Sequence, residues 1–203
     1  MSILKSVKRI IRITLYLPFS LRDALYCWSG GIQWHHSWRF WKLPRIKKCR
    51  GGSLSIGKRF VACSDLAHNP LGATQPVIIY VRSGGKLEIG DNFGITGSSI
   101  VCFEHISIGN NVIIGPGCSI IDTDGHSINP SERRNGSASA SPIIIENDVF
   151  IGTKCIILKG VRIGEGSIIA AGAVVMDTVP PFSIYAGNPA QKYRRKKSME
   201  VRS

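Results

Sequence analysis

An aliphatic residue at every sixth position is the strongest pattern in the C-terminal half of the sequence. The longest run is unbroken and comprises Ile145, Ile151, Ile157, Ile163, Ile169 and Val175. Shorter stretches obey the same rule before it, at Ile56, Ile89, Ile95, Ile108, Ile114 and Ile120. Glycine often follows these positions, as at Gly90, Gly109 and Gly152. The spacing predicts a series of short, similar structural units.

A period of six residues is incompatible with one face of an α-helix. Six residues rotate a helix by about 240°, which scatters the aliphatic side chains over three sides. The period instead fits short strands on a coil with three flat sides and about 18 residues per turn, with Gly and Asn at its corners. The predicted fold is all-β: a left-handed parallel β-helix of hexapeptide repeats, with a short N-terminal α-helical segment and a basic C-terminal tail.

Two polar stretches interrupt the repeat and predict loops that leave the coil. Residues 62–76 and 122–141 are rich in Gly, Pro, Ser and Asn. Long loops in a compact domain are often functional. The second loop holds His126, the last histidine of the chain, which makes this loop the candidate site.

The chain divides into three predicted segments: a basic, aromatic, helical segment over 1–50, the β-helix over 51–190, and a basic tail over 191–203. Within the first segment, residues 3–26 have an amphipathic helical pattern that Pro18 interrupts, and all four tryptophans lie between 28 and 41. Two interpretations stay open. Basic residues with interfacial aromatics suit a membrane surface, and a helix with a loop also suits a cap over the open end of the coil.

The charge of the chain is concentrated at its two ends. The net charge is +13, and residues 1–50 hold 11 Lys and Arg against one acid, whereas residues 51–189 hold 9 basic and 11 acidic residues. A protein whose whole working surface binds nucleic acid would carry basic charge along its body, so no nucleic-acid partner is expected.

The cysteines and the N-terminal sequence favour a cytoplasmic protein. The six cysteines form no CxxC pair and no zinc-finger spacing, so reduced core thiols and no metal are expected. No signal peptide and no uncharged apolar stretch of about 18 residues is recognisable, so we expect contact with the inner face of the cytoplasmic membrane to be peripheral if it occurs.

The strongest motifs lie between residues 106 and 193. They are ISIGNNVIIGPGCSI, DTDGHSI, IENDVFIGTKCIILKGVRIGEGSIIAAGAVV and VPPFSIYAGNPAQKYR. In this order they resemble the hexapeptide-repeat acyltransferases of the galactoside and maltose O-acetyltransferase type. The first 50 residues are more similar to the leaders of bacterial O-acetyltransferases that act on capsule or lipopolysaccharide sugars. The resemblance implies an acetyl-CoA-dependent enzyme, a homotrimer, and a carbohydrate acceptor in surface polysaccharide biosynthesis.

The resemblance also implies which residues form the site. His126 matches the general base, and the chemistry agrees: transfer from a thioester to a hydroxyl needs that hydroxyl's proton removed, and a neutral imidazole is suited to this. Glu104 and Thr96 match acceptor-binding positions. The positions that match the CoA-binding residues are Thr153, Ala171 and Arg194. Gln191 stands where the family usually has Arg or Lys, so that we expect Lys192 or Arg195 to take its place. Backbone N–H groups near Gly152 and Thr153 are candidates for stabilising the oxyanion.

Other functions of this coil are weighed against the acetyltransferase. An N-acetyltransferase of a nucleotide-linked amino sugar is the main competitor, because a base serves an amine acceptor equally well. A non-catalytic β-helix scaffold is a second alternative. A γ-type carbonic anhydrase needs three zinc-binding histidines, and the sequence lacks their spacing. A serine acetyltransferase is disfavoured because its long helical N-terminal domain has no counterpart here.

Overall fold

The computed structural model describes residues 20–65, 69, 71, 74–134, 136 and 138–193. Within them, short strands wind around a common axis and stack into three sheets, which form the sides of a prism. Neighbouring strands are parallel except for the last pair of one sheet. We name the sheets A, B and C in the order in which the chain visits them. Sheet A contains β1 Arg39–Trp41, β4 Val61–Cys63, β7 Gly94–Thr96, β10 Ile113–Ile114, β13 Phe150–Ile151, β16 Ile168–Ile169, β18 Ile184–Ala186 and β19 Gln191–Lys192. Sheet B contains β2 Arg45–Lys48, β5 Ile78–Val81, β8 Ser99–Cys102, β11 Ser119–Ile121, β14 Ile156–Ile157 and β17 Val174–Val175. Sheet C contains β3 Ser53–Ile56, β6 Lys86–Ile89, β9 His105–Ile108, β12 Ile143–Ile145 and β15 Arg162–Ile163.

The residues of the sixfold repeat form the interior of the prism. Each sits one coil above its counterpart, so that Ile114 pairs with Ile151 and Ile120 pairs with Ile157 in parallel register. Alternate residues of a strand point to opposite faces, and the aliphatic side chains of the repeat are almost fully buried, except for the partly buried Ile56. The predicted left-handed β-helix of hexapeptide repeats is therefore confirmed.

Polar side chains stabilise the corners of the prism by bonding from one coil to the next. At one corner the side-chain oxygens of Asp91, Asn110 and Asn147 accept hydrogen bonds from backbone N–H groups of the preceding coil. At another, the buried thiols of Cys118 and Cys155 donate to the carbonyls of Gly152 and Ala170. These contacts satisfy backbone groups that the turns leave without a strand partner.

The coil begins earlier than the sequence predicted. Strands β1 and β2 lie before residue 51 and pair in parallel with β4 and β5. Aromatic side chains fill this end, with Phe60 stacked on Phe93 at 5.6 Å and edge-on to Trp38 at 5.5 Å between ring centroids. The sixfold aliphatic rule does not detect such a coil, because its core residues are aromatic.

A helix over 20–29, here α1, packs against this first coil. Cys27 is fully buried in the common core, and the hydroxyl of Tyr26 donates to the Pro44 carbonyl and accepts from the Ile46 N–H. The described part of the N-terminal segment thus acts as a cap on the coil. Residues 3–19 of the predicted amphipathic helix lie outside the described residues, and no helix in the described ranges is long and apolar enough to cross a bilayer.

Both predicted loops leave the coil, with small differences at their ends. Strand β4 runs to Cys63, so the first loop starts two residues later than its predicted start at 62. The second loop joins β11 to β12 and is closed at its base by an antiparallel bridge between Thr123 and Ala140. The predicted tail starts as a strand, because β19 pairs antiparallel with β18. Residues 194–203 lie outside the described residues.

Candidate active site

A groove of about 420 Å³ runs along the outer face of sheet A, towards its corner with sheet B. It brings together four of the residues that the sequence nominated: Thr96, Gly152, Thr153 and Ala171. The other lining residues are Asn69, Leu71, Ile113, Ile114, Gly115, Pro116, Phe150, Ile168, Ile169 and Ala170. Asn69 and Leu71 come from the first extruded loop, so this loop forms part of the groove.

One wall of the groove is apolar because three strands expose aliphatic or aromatic side chains there. Ile113, Phe150 and Ile168 lie in register on adjacent strands and are each between 38% and 54% exposed. Their strand neighbours point inward and are buried. The sixfold repeat does not predict this wall directly, although its residues occupy the outward positions next to the repeat residues in each strand.

Small residues let neighbouring coils approach closely beneath the groove. A Cβ on Gly152 would lie 2.7 Å from the backbone nitrogen of Ala171, and a Cβ on Gly115 would lie 2.9 Å from that of Thr153. Real Cβ atoms essentially never show contacts under 3.0 Å. Glycine is therefore required at both positions for the coils to keep this spacing.

Two backbone N–H groups at the groove have no acceptor among the described residues. Those of Thr153 and Ala171 donate to no described backbone carbonyl or side chain, whereas the Gly152 N–H donates to the Ile169 carbonyl at 2.8 Å. The Gly152 N–H is therefore not available as an oxyanion donor, which leaves the N–H groups of Thr153 and Ala171 as the candidates. The Thr153 hydroxyl donates to the Pro116 carbonyl at 2.7 Å, which fixes this side chain at the lip of the groove.

His126 lies at a different corner, on the loop between sheets B and C. Gly125 before it adopts φ +74°, a conformation that favours glycine, and its N–H donates to the Thr123 hydroxyl. The His126 side chain is exposed and has no hydrogen bond or ion pair with any described residue. Its imidazole is therefore accessible to a bound molecule.

Two charged residues hold the base of this loop. The carboxylate of Asp122 is fully buried and accepts hydrogen bonds from the N–H groups of Phe103 at 2.7 Å and Glu104 at 2.8 Å. Lys159 binds both arms of the loop, through Asp124 and Ser139, at 2.9 Å each. Neither residue was predicted from the sequence, although Asp122 is the first residue of the DTDGH motif.

Asp122 also connects the loop of His126 to Glu104. Glu104 is exposed at the same corner, one coil before the loop. The two predicted acceptor-binding residues are thus separated, because Thr96 lies in the groove. Cys102 beneath this corner is not a nucleophile, since burial and the nearby Asp122 raise the pKa of its thiol to about 12.

The remaining predicted residues lie at the C-terminal end of the coil or beyond it. Lys192 is exposed on β19, and Arg194 and Arg195 fall outside the described residues. Within one chain, the groove and His126 lie at opposite borders of sheet B, so the fold does not bring them together. Among the described residues, no group of three or more His, Cys, Asp or Glu could hold a metal ion.

The fold is a left-handed β-helix of the hexapeptide-repeat type, with a groove on the outer face of sheet A. Residues 142–176 match the family model described as bacterial transferase hexapeptide, six repeats. The chain is 35% identical to the galactoside O-acetyltransferase of Escherichia coli (strain K12) over 117 residues, 57% of each chain. A solved galactoside acetyltransferase in complex with coenzyme A is 36% identical with a TM-score of 0.53, and the match covers 59% of this chain and 58% of that one. The resemblance to the hexapeptide-repeat acetyltransferases is therefore confirmed.

A shorter match connects the coil to an enzyme with an amine acceptor. Over 53 residues the chain is 57% identical to a 2,3,4,5-tetrahydropyridine-2,6-dicarboxylate N-acetyltransferase of Staphylococcus aureus (strain JH9), which is 26% of this chain and 22% of that one. The chain spans only about 57% of the length of the galactoside enzyme. Each of these matches therefore covers only part of both proteins.

Proposed function

We propose that this protein is an acetyl-CoA-dependent O-acetyltransferase that acts on a sugar hydroxyl by direct transfer, with His126 as the general base. The observation that carries the proposal is the presentation of His126: a loop held at its base by Asp122 and Lys159 exposes an imidazole with no described partner. Similarity to galactoside O-acetyltransferases supports the same chemistry. A protein that served only as a scaffold would have no need of this arrangement.

The groove on sheet A is the proposed site of the acetyl-CoA thioester. Its apolar wall suits the pantetheine arm, and the N–H groups of Thr153 and Ala171 suit the carbonyl oxygen, which becomes negative during attack. Lys192, exposed on β19, is a proposed contact of the nucleotide phosphates, because a cation suits an anionic group. The sequence resemblance adds Arg194 and Arg195 to this proposal.

The proposed reaction needs no covalent enzyme intermediate. Glu104 of one copy of the chain and Thr96 of a neighbouring copy orient the sugar by hydrogen bonds to its hydroxyl groups. His126 takes the proton from the reacting hydroxyl as its oxygen attacks the thioester carbonyl carbon. The carbon–sulfur bond then breaks, and the imidazolium returns the proton to the departing thiolate of CoA.

A homotrimer is proposed because one chain does not complete this site. The groove and His126 lie on opposite borders of sheet B, so a neighbouring copy is needed to supply one of them. In a closed ring of three chains, the groove of each copy faces the His126 loop of the next copy, which gives three equivalent sites. Size-exclusion chromatography with light scattering tests this, and a monomer at assay concentrations contradicts it.

A cytoplasmic enzyme of surface polysaccharide biosynthesis at the inner face of the membrane is the proposed setting. Leu21, Leu25 and Trp28 lie on one face of α1 at spacings of four and three residues, and all three are exposed. Sedimentation with anionic vesicles tests the membrane contact: the triple substitution of these residues to Ser should leave more protein in the supernatant, and equal recovery contradicts it.

An amine on a nucleotide-linked sugar is the second candidate acceptor, favoured by the match to an N-acetyltransferase. The decisive assay follows release of the CoA thiol with sugars, amino sugars, nucleotide sugars and lipid-linked glycans, for wild type beside His126→Ala. We expect the variant to lose about 10²–10⁴-fold in kcat. Full activity of His126→Ala would refute the assignment of His126 as the general base. Treatment of the product with alkali distinguishes the two acceptors, because an ester is hydrolysed and an amide is not.

A further inference from the structure

A row of four side chains, two neighbouring aromatic rings flanked by two cations, lies on the outer face of sheet B and at its corner with sheet C. Lys47 lies with its Nζ 5.8 Å from the centre of the Tyr80 ring. The Tyr80 ring lies 6.3 Å from that of Phe103, between centroids, and the guanidinium of Arg82 lies 4.9 Å from the centre of the Phe103 ring. We name these four residues the cation–aromatic ladder.

The cations of the ladder are exposed and have no acidic partner among the residues that the structure describes. No carboxylate of the described residues lies within 4.0 Å of the charged groups of Lys47 or Arg82. The segment that carries Lys47 adds further exposed cations, Arg45, Lys48 and Arg50. Cations stacked on aromatic faces keep free N–H donors at their edges, so this surface is ready to bind an anion.

The ladder lies beside the residues assigned to the acceptor. Phe103 is the neighbour of Glu104 in sequence, and the N–H groups of both donate to the carboxylate of Asp122. Asp122 begins the loop that carries His126. A molecule bound at Glu104 therefore meets Phe103 and Arg82 on one side and the loop on the other.

We propose that the cation–aromatic ladder binds a diphosphate group attached to the acceptor sugar, an assignment that rests on the proposed transferase function. Arg82 and Lys47 hold the phosphate oxygens through charge-assisted hydrogen bonds. The exposed edges and faces of Tyr80 and Phe103 contact the ring next to the diphosphate. An uncharged free sugar would leave both cations unused, whereas a sugar diphosphate complements them.

Two kinds of carrier present this chemistry, a nucleotide and a polyprenyl lipid. Titration calorimetry on the full chain, with CoA at saturation to occupy the donor site, compares UDP with geranyl diphosphate. Tighter binding of UDP assigns a nucleotide carrier, and tighter binding of geranyl diphosphate assigns a lipid carrier. Failure of both to bind the wild-type protein would overturn the proposal.

Charge-removing variants test the assignment to these residues. Arg82→Gln should weaken the tighter of the two probes by about 10-fold to 100-fold, as expected for a hydrogen bond to a charged group, and Lys47→Gln should weaken it by a smaller factor. Lys58→Gln is the matched control, because it removes an exposed cation at the corner between sheets C and A. Equal binding by Arg82→Gln and the wild type would refute the ladder, provided that their thermal unfolding agrees.

The failure of this inference is distinguishable from failure of the proposed function. If acetyl transfer depends on His126 but no diphosphate binds, the proposed diphosphate site is refuted and the proposed transferase function stands. If diphosphate binding depends on Arg82 but acetyl transfer is unaffected by His126→Ala, the anion site stands and the assignment of His126 as the general base is refuted.

Discussion

Substitution of Gly152 by alanine tests how the groove is built, because it adds one carbon at the point where two coils are closest. The new Cβ would lie 2.7 Å from the Ala171 nitrogen and 3.0 Å from the Ile169 carbonyl oxygen. An ordinary contact begins at 3.4 Å, so the coils must separate by about 0.7 Å at the floor of the groove. Backbone atoms, unlike the end of a flexible side chain, have no rotamer that avoids the contact.

The separation has a cost in stability and a larger cost in function. Overpacking of this kind destabilises a folded protein by about 1–3 kcal/mol, and in a chain of this size each kcal/mol lowers the midpoint of thermal unfolding by about 2–4 °C. We therefore expect a fall of about 2–12 °C. A misplacement of about 1 Å at a reacting centre can cost as much as about 10²-fold in rate, so kcat/KM for acetyl-CoA should fall by about 10-fold to 100-fold.

Gly94→Ala is the matched control for this prediction. Gly94 lies on the same sheet, has an ordinary backbone conformation, and a Cβ there would meet only the Ile113 side chain at 3.9 Å. Its unfolding midpoint and kcat/KM should stay close to wild type. Thermal unfolding by circular dichroism and initial rates of thiol release measure both quantities. An active, equally stable Gly152→Ala protein would refute the close-approach argument.

Three further predictions concern the loop base and the charged surface. Asp122→Asn should destabilise the protein by about 1–3 kcal/mol in urea unfolding, because an amide offers the two backbone N–H groups one acceptor oxygen, and an unchanged midpoint contradicts this. Lys159→Met should speed proteolytic cleavage within 122–141 while leaving stability within about 1 kcal/mol of wild type, and equal cleavage rates would disprove the clamp. Hydrogen bonds from Lys86 and His105 lower the pKa of Glu88 below its ordinary value of 4.5. The stability that this carboxylate adds is therefore present above its ordinary pKa, and it is lost as the pH falls through the lowered pKa. The unfolding midpoint of Glu88→Gln should fall less than that of wild type between about pH 6 and pH 3, and identical curves would contradict the pairing.

Most of the coil was predictable because its physical rule is local and repeated. Every aliphatic residue of the run from Ile145 to Val175 enters the same interior, so that the spacing alone identifies the buried face. The aliphatic spacing does not predict the first coil, because the buried residues at that end include the aromatic residues Trp38, Phe40 and Phe60. The boundary at residue 51 was thus placed too late.

The sequence predicts which residues belong to the candidate site better than it predicts the contacts between them. Thr153 and Ala171 were nominated by resemblance, and the fold places them on one groove. The engagement of the Gly152 N–H and the burial of Asp122 depend on contacts between coils about 17–20 residues apart in sequence. No local pattern encodes those contacts, because they depend on which corner each loop leaves.

The most direct test of the account mixes two inactive variants. Ala171→Trp fills the groove at an exposed position, and His126→Ala removes the base. Each alone should show almost no acetyl transfer. Co-expressed in equal amounts, they should recover about a quarter of wild-type activity, because one in four junctions of a random trimer joins an intact groove to an intact His126. Mixed protein as inactive as either variant would contradict a site shared between copies.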